Sequence, residues 1–320
     1  MEFRRDFLRP KLYTLPSTLV VFLEHLLGFV VLAPFIYIYR KQIKKIKRKQ
    51  WLAIFWVALF GGALGTTFIT KALFLTGFHD ISVVLLLQKF QPIFAIILAA
   101  IFLRERFPKK FYLYTCLALI AGYFMTFKDP WTINSVTNTA TMAIVFALLA
   151  AFAWGSATTF GKYSIKNINN GLLAALRFGL VVLIMIIPVI KYFNKLPAVT
   201  GTQWTTLIII VFTSGAAATF IYYYGLKKIP ASVATLCELS WPVSAVILDY
   251  ALNKNILSWS QILGAVIVIL AVTKITIMNR SFNLSGKIIK GLGKGDETGM
   301  KTANLDVKIA VTKKLPKGLY

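Results

Sequence analysis

Nine apolar stretches, each about as long as a membrane-spanning helix, constrain this chain more than any other feature. In chain order they occupy residues 15–39, 51–75, 81–103, 111–127, 141–160, 171–193, 204–226, 231–252 and 259–278. A hydrocarbon core of about 30 Å is crossed by roughly 20 helical residues whose backbone polar groups bond within the segment, because lipid offers them no partner. The links between the runs are mostly short, so no length remains for a soluble catalytic domain. With 58% hydrophobic residues among 320, the chain reads as an all-α polytopic membrane protein, and the lipid bilayer is its first partner.

The formal net charge of +25 suggests nucleic acid only until the positions of Lys and Arg are examined. They cluster in links beside the apolar runs, where retention on the cytoplasmic side explains them, and a nucleic-acid partner is excluded. The basic run RKQIKKIKRKQ at 40–50 is placed inside, and alternation then puts 77–80 outside, RERFPKK at 104–110 inside, 128–140 outside and the tail from Asn279 inside. The inner (plasma) membrane with a cytoplasmic C-terminus is the expected location. The leader MEFRRDFLRPK departs from this pattern, being basic and facing outward. Its apolar continuation is too long for a cleavable signal peptide and lacks a small-residue cleavage site. Cys116 and Cys237 both fall within apolar runs and match neither a metal site nor a disulfide framework. No cofactor or metal is expected.

Self-similarity organises the runs. With Trp51 laid on Trp204, WLAIFWVALFGGALGTTFITKALF faces WTTLIIIVFTSGAAATFIYYYGL, and ISVVLLLQKFQPIFAIIL faces ASVATLCELSWPVSAVIL. Ser82, Gln88 and Pro92 thereby meet Ser232, Glu238 and Pro242. One run earlier, Glu24 and Pro34 stand opposite Arg177 and Pro188. The second copy opens with FALLAAFAWGSATTFGK at 146–162, for which nothing before residue 15 is a counterpart, so the expected division is 1–130 for a first copy of four helices, 141–279 for a second copy of five, and 280–320 for a basic flexible tail. Because five is odd, two such units in succession lie in the bilayer in opposite orientations. This is the inverted-repeat arrangement of secondary transporters, whose site forms near the midplane between the repeats.

The small-residue AFAWGSATTFGK at 151–162, LRFG at 176–179, and the repeated tight link followed by S-x5-Q/E-x3-P resemble the drug/metabolite transporter superfamily, and within it the EamA-type permeases. The resemblance runs from about residue 15 to 278. It implies a ten-helix inverted-repeat fold, a central cavity and export or exchange of amino acids or other small metabolites, often coupled to an ion gradient such as protons. The chain departs from the family in lacking the first helix, and the AxxWG-type motif occurs once, around Trp154-Gly155.

Polar groups at membrane depth are costly and generally face a protein interior or a wet cavity. Gln88 and Pro92 share a helical face with Ser82 and Leu85, as Glu238 and Pro242 do with Ser232 and Thr235. Both prolines lie inside their apolar runs, free a carbonyl four residues earlier and are candidate hinges. Glu238 is the leading candidate for binding a substrate ammonium or a coupling proton, the alternative being a structural ion pair with Lys71 or Arg177. Gln91 and Trp241 would add a polar contact and an aromatic wall. Glu24 and Arg177 are candidate gate or substrate contacts, with snorkelling to the interface as the alternative, and His25 reads as an interfacial histidine or a proton relay. Lys71, Tyr223 and Trp154 complete the candidate set, while Lys89 is read as steadying a neighbouring helix. Gly61, Gly62 and Gly65, with Ser214, Gly215 and Ala218 opposite, form small-residue packing faces.

The chain has two histidines and no phosphate-cradling GxxxxGK[ST], so neither membrane-enzyme nor ATP-driven chemistry is supported. The mixed acidic and basic candidates suit a zwitterion such as an amino acid. A non-transporting scaffold or sensor and a flippase for lipid-linked substrates are the rival readings.

Overall fold

The computed structural model describes residues 8, 10–76, 81–126, 138–240 and 258–292. Proline and glycine positions set where its helices begin, bend and stop. α1 (Ser17–Ile38) starts directly after Pro16 and carries Pro34 inside. α2 (Arg48–Leu75) is α-helical at both ends and π-helical across Val57–Leu64, where two adjacent glycines sit. α3 (Ile81–Gln88) stops at Lys89 and Phe90, and α4 (Gln91–Leu98) restarts with Pro92 in its first turn, continuing as a π-helical turn over Ala99–Leu103. α5 is Lys109–Thr126 and α6 is Asn138–Ser164. α7 (Asn170–Val189) is capped by Asn169, whose Oδ1 accepts from the Gly171 amide at 2.8 Å. α8 (Gly201–Thr213) is opened by a reciprocal pair between Thr200 and Gln203 and is broken from α9 (Ala216–Lys228) at Ser214 and Gly215. α10 (Ala231–Cys237) tightens into a 3₁₀ turn over Glu238–Ser240, and α11 is Trp259–Leu292. Among the described residues there is no strand.

Pro92 therefore differs from its sequence reading. It does not kink a continuous helix but opens a second one, in a first-turn position where its missing N–H costs nothing. Pro242 and Trp241 lie outside the described residues. Seven helices are long and apolar enough to cross a membrane among the described residues. The shorter Ala231–Ser240 leads into the eighth expected run, most of which lies outside the description, and α5 stands where the fourth was expected.

The two copies pack through their equivalent members. α1 lies on α7, and α5 lies on α11, as a two-fold relation between the copies requires. α6 covers α2, α3 and α4. With lipid as apolar as leucine, such packing rests on close approach rather than on hydrophobic drive, and the glycines supply it. A Cβ on Gly61 would meet that of Ala157 at 2.6 Å, and one on Gly155 would meet the Gln91 carbonyl oxygen at 2.7 Å. Large apolar side chains face outward all round the bundle: Leu113, Ile187, Phe212 and Leu263 are each 59% or more exposed. In water such a surface would be an aggregation site; in a bilayer it is the lipid contact.

Candidate functional site

Four interruptions of regular helix converge on one region. The π-helical turn of α2 and the break between α8 and α9 occupy equivalent places in the two copies, and so do the end of α3 at Gln88 and the end of α10 before Glu238. Irregular backbone at membrane depth is tolerated where it is buried in protein or borders a cavity. Here it borders a cavity of about 320 Å³.

One wall is aromatic and is built by α6, α7 and α9. Trp154, Phe178, Tyr222 and Tyr223 all line the space. Trp154 Nε1 donates to the Gly61 carbonyl at 3.1 Å, and Tyr222 shares a hydrogen bond with Thr158 at 2.9 Å. Tyr223 is 1% exposed and its hydroxyl accepts from Arg177 Nη1 at 3.3 Å.

Arg177 reaches across to donate from Nη2 to the same Gly61 carbonyl at 2.7 Å. Gly61 thus receives both Trp154 and Arg177, which is open to it because the π-helical turn shifts the local backbone pairing: the Gly65 amide reaches Phe60 rather than Gly61. A glycine at 61 also leaves room, since the Arg177 guanidinium lies within 4 Å of where a Cβ would stand.

The opposite wall carries the carboxylate. Glu238 Oε2 accepts from Gln91 Nε2 at 2.7 Å, a bond between the two copies. Oε1 is buried without a hydrogen-bond partner, as is Arg177 Nε. Tyr222 and Arg177 are the other polar neighbours of this carboxylate. Gln88 lines the cavity beside it, and a small void of about 10 Å³ continues behind, bordered by Gln88, Lys89, Pro92 and Thr235. Lys89 itself turns away to donate to the Gly122 carbonyl at 2.8 Å, tying the α3–α4 break to α5. Glu24 and His25 close a third side, both buried, with the His25 ring 4.9 Å from that of Phe178. His25 Nδ1 donates to the Val21 carbonyl at 2.8 Å, which fixes the ring.

Of the candidate residues, Glu238, Gln88, Gln91, Tyr223, Trp154, Glu24 and Arg177 border this one space. Lys71 does not: it is exposed, with its ammonium 5.4 Å from the centre of the Phe146 ring. Glu238 is accordingly joined to Gln91 rather than to Lys71. Sequence reasoning passed over Thr66, Thr158, Phe178 and Thr219 as lining groups. Their signal was present but weak, since each lies on an apolar helix face where a hydroxyl or ring reads equally well as packing. Among the described residues no group of three or more His, Cys, Asp or Glu is placed to hold a metal ion.

A multi-helix membrane bundle with a polar and aromatic cavity between two similar halves is the architecture of a secondary transporter. The profile of the EamA-like transporter family matches residues 8–127 and 141–277, and the chain belongs to that family. The riboflavin transporter ImpX of Fusobacterium nucleatum subsp. nucleatum is 40% identical over 277 residues, which is 85% of this chain and 92% of that protein. A solved crystal structure superposes with a TM-score of 0.66 over 87% of this chain and 95% of its own, at 13% identity, a likeness of fold alone. The chain is a multi-pass membrane transporter of a small metabolite and not an enzyme.

Proposed function

We propose that the transported metabolite is riboflavin. The observation that carries this reading is the 40% identity to a riboflavin transporter over most of both chains. The cavity supports it. Its volume of about 320 Å³ falls at the lower end of the roughly 300–1,000 Å³ that hold drug-sized ligands. Four aromatic rings suit a flat heterocycle, and the hydroxyls of Thr66, Ser214 and Thr219 suit a polyol. An amino acid, the expectation from mixed charges alone, has less support, because the Arg177 guanidinium is already bonded to Gly61 and Tyr223.

Transport proceeds by alternating access, with the two copies rocking about the cavity and Pro92 and Pro242 as hinge positions. The protein sits in the inner membrane with 104–110 and the C-terminus on the cytoplasmic face. Glu238 is the group through which a coupling proton acts. Nothing among the described residues favours the scaffold or flippase alternatives.

Counterflow in proteoliposomes tests the substrate. Vesicles loaded with unlabelled riboflavin are expected to accumulate labelled riboflavin when they contain this chain and not when empty. Exchange of an amino acid without riboflavin counterflow overturns the reading. An imposed pH gradient in the same vesicles reads direction and coupling, and Glu238→Gln is expected to abolish the gradient's effect.

A further inference from the structure

Seven of the ten residues at 40–49 are cations, and the fold holds the segment that carries them in place. Retention on one side of a membrane needs only their number, not a fixed arrangement. Ile43 and Ile46 pack against the core cluster that contains Val57 and Leu172. Gln42 Oε1 accepts from the Asn169 amide at 2.8 Å, and Gln50 Nε2 donates to the Ser164 carbonyl at 3.4 Å. The link between α1 and α2 is thereby strapped to the link between α6 and α7 in the other copy, with all seven cations left exposed.

The second copy adds cations of its own. Lys166 is exposed in the α6–α7 link, and Lys227 Nζ donates to the Ile168 carbonyl at 3.0 Å, one residue from the amide that Gln42 holds. Like charges from the two copies therefore share one surface, and their repulsion is relieved by a counter-ion. The sequence has no Asp or Glu between Glu24 and Asp80, or between Asp129 and Glu238. Glu105, from the link after α4, is already engaged by the Ala231 and Ser232 amides. Among the described residues no carboxylate is left for this surface, so its counter-ion comes from outside the chain.

What lies beside the cations decides its class. Tyr37 and Ile38, at the end of α1, are 70% and 63% exposed, and the Arg40 guanidinium stands 4.9 Å from the centre of the Tyr37 ring. Near the end of α9 Tyr224 is exposed too, with the Lys228 ammonium 3.8 Å from its ring centre. An outward tyrosine followed within a turn by an outward cation marks the boundary between hydrocarbon and headgroups. The surface thus stands at headgroup depth, where the anion within reach is a lipid phosphate.

We propose that this end of the bundle binds anionic phospholipid, with headgroup phosphate seated among Lys41, Lys44 and Lys45 of the first copy and Lys166 and Lys227 of the second. A lipid held there bridges the two copies where the chain itself supplies only positive charge.

The test reads the lipid beside the strap and involves no transported substrate. Ile38→Cys, in a chain whose Cys116 and Cys237 are replaced, carries a fluorescent label in phosphatidylcholine vesicles. Doxyl-labelled phosphatidylglycerol or doxyl-labelled phosphatidylcholine is added as quencher. Each cation near the surface favours an anionic lipid about fivefold, so at low salt phosphatidylglycerol is expected to quench at a membrane fraction at least about fivefold lower. The same label at Phe212→Cys, 60% exposed midway along the span of α8 and α9, is expected to be quenched alike by both. Lys41→Gln with Lys44→Gln and Lys45→Gln, checked for a monodisperse elution profile, is expected to remove most of the preference at Ile38→Cys. Lys313→Gln with Lys314→Gln and Lys317→Gln takes equal charge from the tail and is expected to keep it. Equal quenching by the two lipids at Ile38→Cys overturns the proposal. So does a preference equally large at Phe212→Cys, which is diffuse surface charge, or one that the tail variant removes and the strap variant keeps.

Discussion

Replacing Glu238 by glutamine removes a charge while keeping nearly the same shape, so the substitution isolates what the carboxylate does. The bond from Gln91 persists, since the glutamine carbonyl still accepts, but the other carboxylate oxygen becomes an amide group that donates. Hydrogen bonds to charged groups contribute about 1.5–3 kcal/mol, so riboflavin affinity is expected to fall roughly 10- to 100-fold; an unchanged dissociation constant would remove Glu238 from the site. Arg177→Lys makes a complementary point. One ammonium cannot reproduce the planar fork that reaches Gly61 and Tyr223 together, so transport is expected to fall as far as in Arg177→Ala, measured as counterflow at matched protein density. Glu238 and Gln88 were legible because the repeat sets them opposite each other. The anchor of Arg177 was not, because it is a backbone carbonyl released by a π-helical turn, and Gly61-Gly62 in the sequence signals only close packing. Lys71 misled because its depth along the helix was readable but its facing was not: it points to the exterior beside Phe146.

Helix interruptions, rather than whole helices, shape the cavity, and this makes the tight contact between α6 and the α3–α4 break a point of leverage. A side chain added at Gly155 meets the Gln91 carbonyl oxygen at 2.7 Å, Phe94 Cβ at 3.0 Å and the Ala95 amide nitrogen at 3.1 Å. Two of these three are backbone atoms of α4, which leave little room to yield, and overpacking of this kind costs typically about 1–3 kcal/mol. Gly155→Val is therefore expected to lower the thermal unfolding midpoint in detergent and to disturb the Gln91–Glu238 bond, whereas Gly201→Ala, with nothing within 4 Å, serves as the neutral control. An equal midpoint for both variants would mean that α6 does not bear on the break. At this scale the apolar runs and their order were readable from hydropathy alone. The position of the break was half-readable: proline announced an interruption near residue 92, but whether a proline bends a helix or starts a new one depends on the partners of the carbonyls before it. Those partners are tertiary. Leu86 and Leu87 receive the amides of Lys89 and Phe90 in tight turns, and Lys89 is drawn off to Gly122.

Across the whole molecule, α1 with α7 and α5 with α11 join the two copies along their length, and one end is fastened by charge as well. Glu105, in the link after α4, accepts from the Ala231 amide at 2.8 Å, the Ser232 amide at 3.0 Å and the Ser232 hydroxyl at 2.7 Å, so it caps the N-terminus of a helix in the other copy. Within the second copy, Lys162 at the end of α6 donates to the Leu226 and Lys227 carbonyls at the C-terminal end of α9 and braces the same corner. A carboxylate at a helix start and an ammonium at a helix end each match the local dipole, and the two sit on either side of the turn between α9 and α10. The repeat foretold that the halves would meet, but not this fastening, because a cap supplied from more than a hundred residues away leaves no local pattern. If rocking of the copies exposes the cavity alternately, this end must part in one state. Glu105→Ala removes three hydrogen bonds across the seam, and loss of a cap costs about 0.5–2 kcal/mol, enough to shift a two-state balance about 2- to 30-fold toward opening here. A cysteine at Thr219, which lines the cavity, reports the shift once Cys116 and Cys237 are replaced. Labelling by a membrane-impermeant maleimide in inside-out vesicles is expected to quicken severalfold in the Glu105→Ala background and to slow when riboflavin is present. Labelling indifferent to Glu105 would separate this seam from the access cycle, and labelling indifferent to riboflavin would place Thr219 outside the substrate's path.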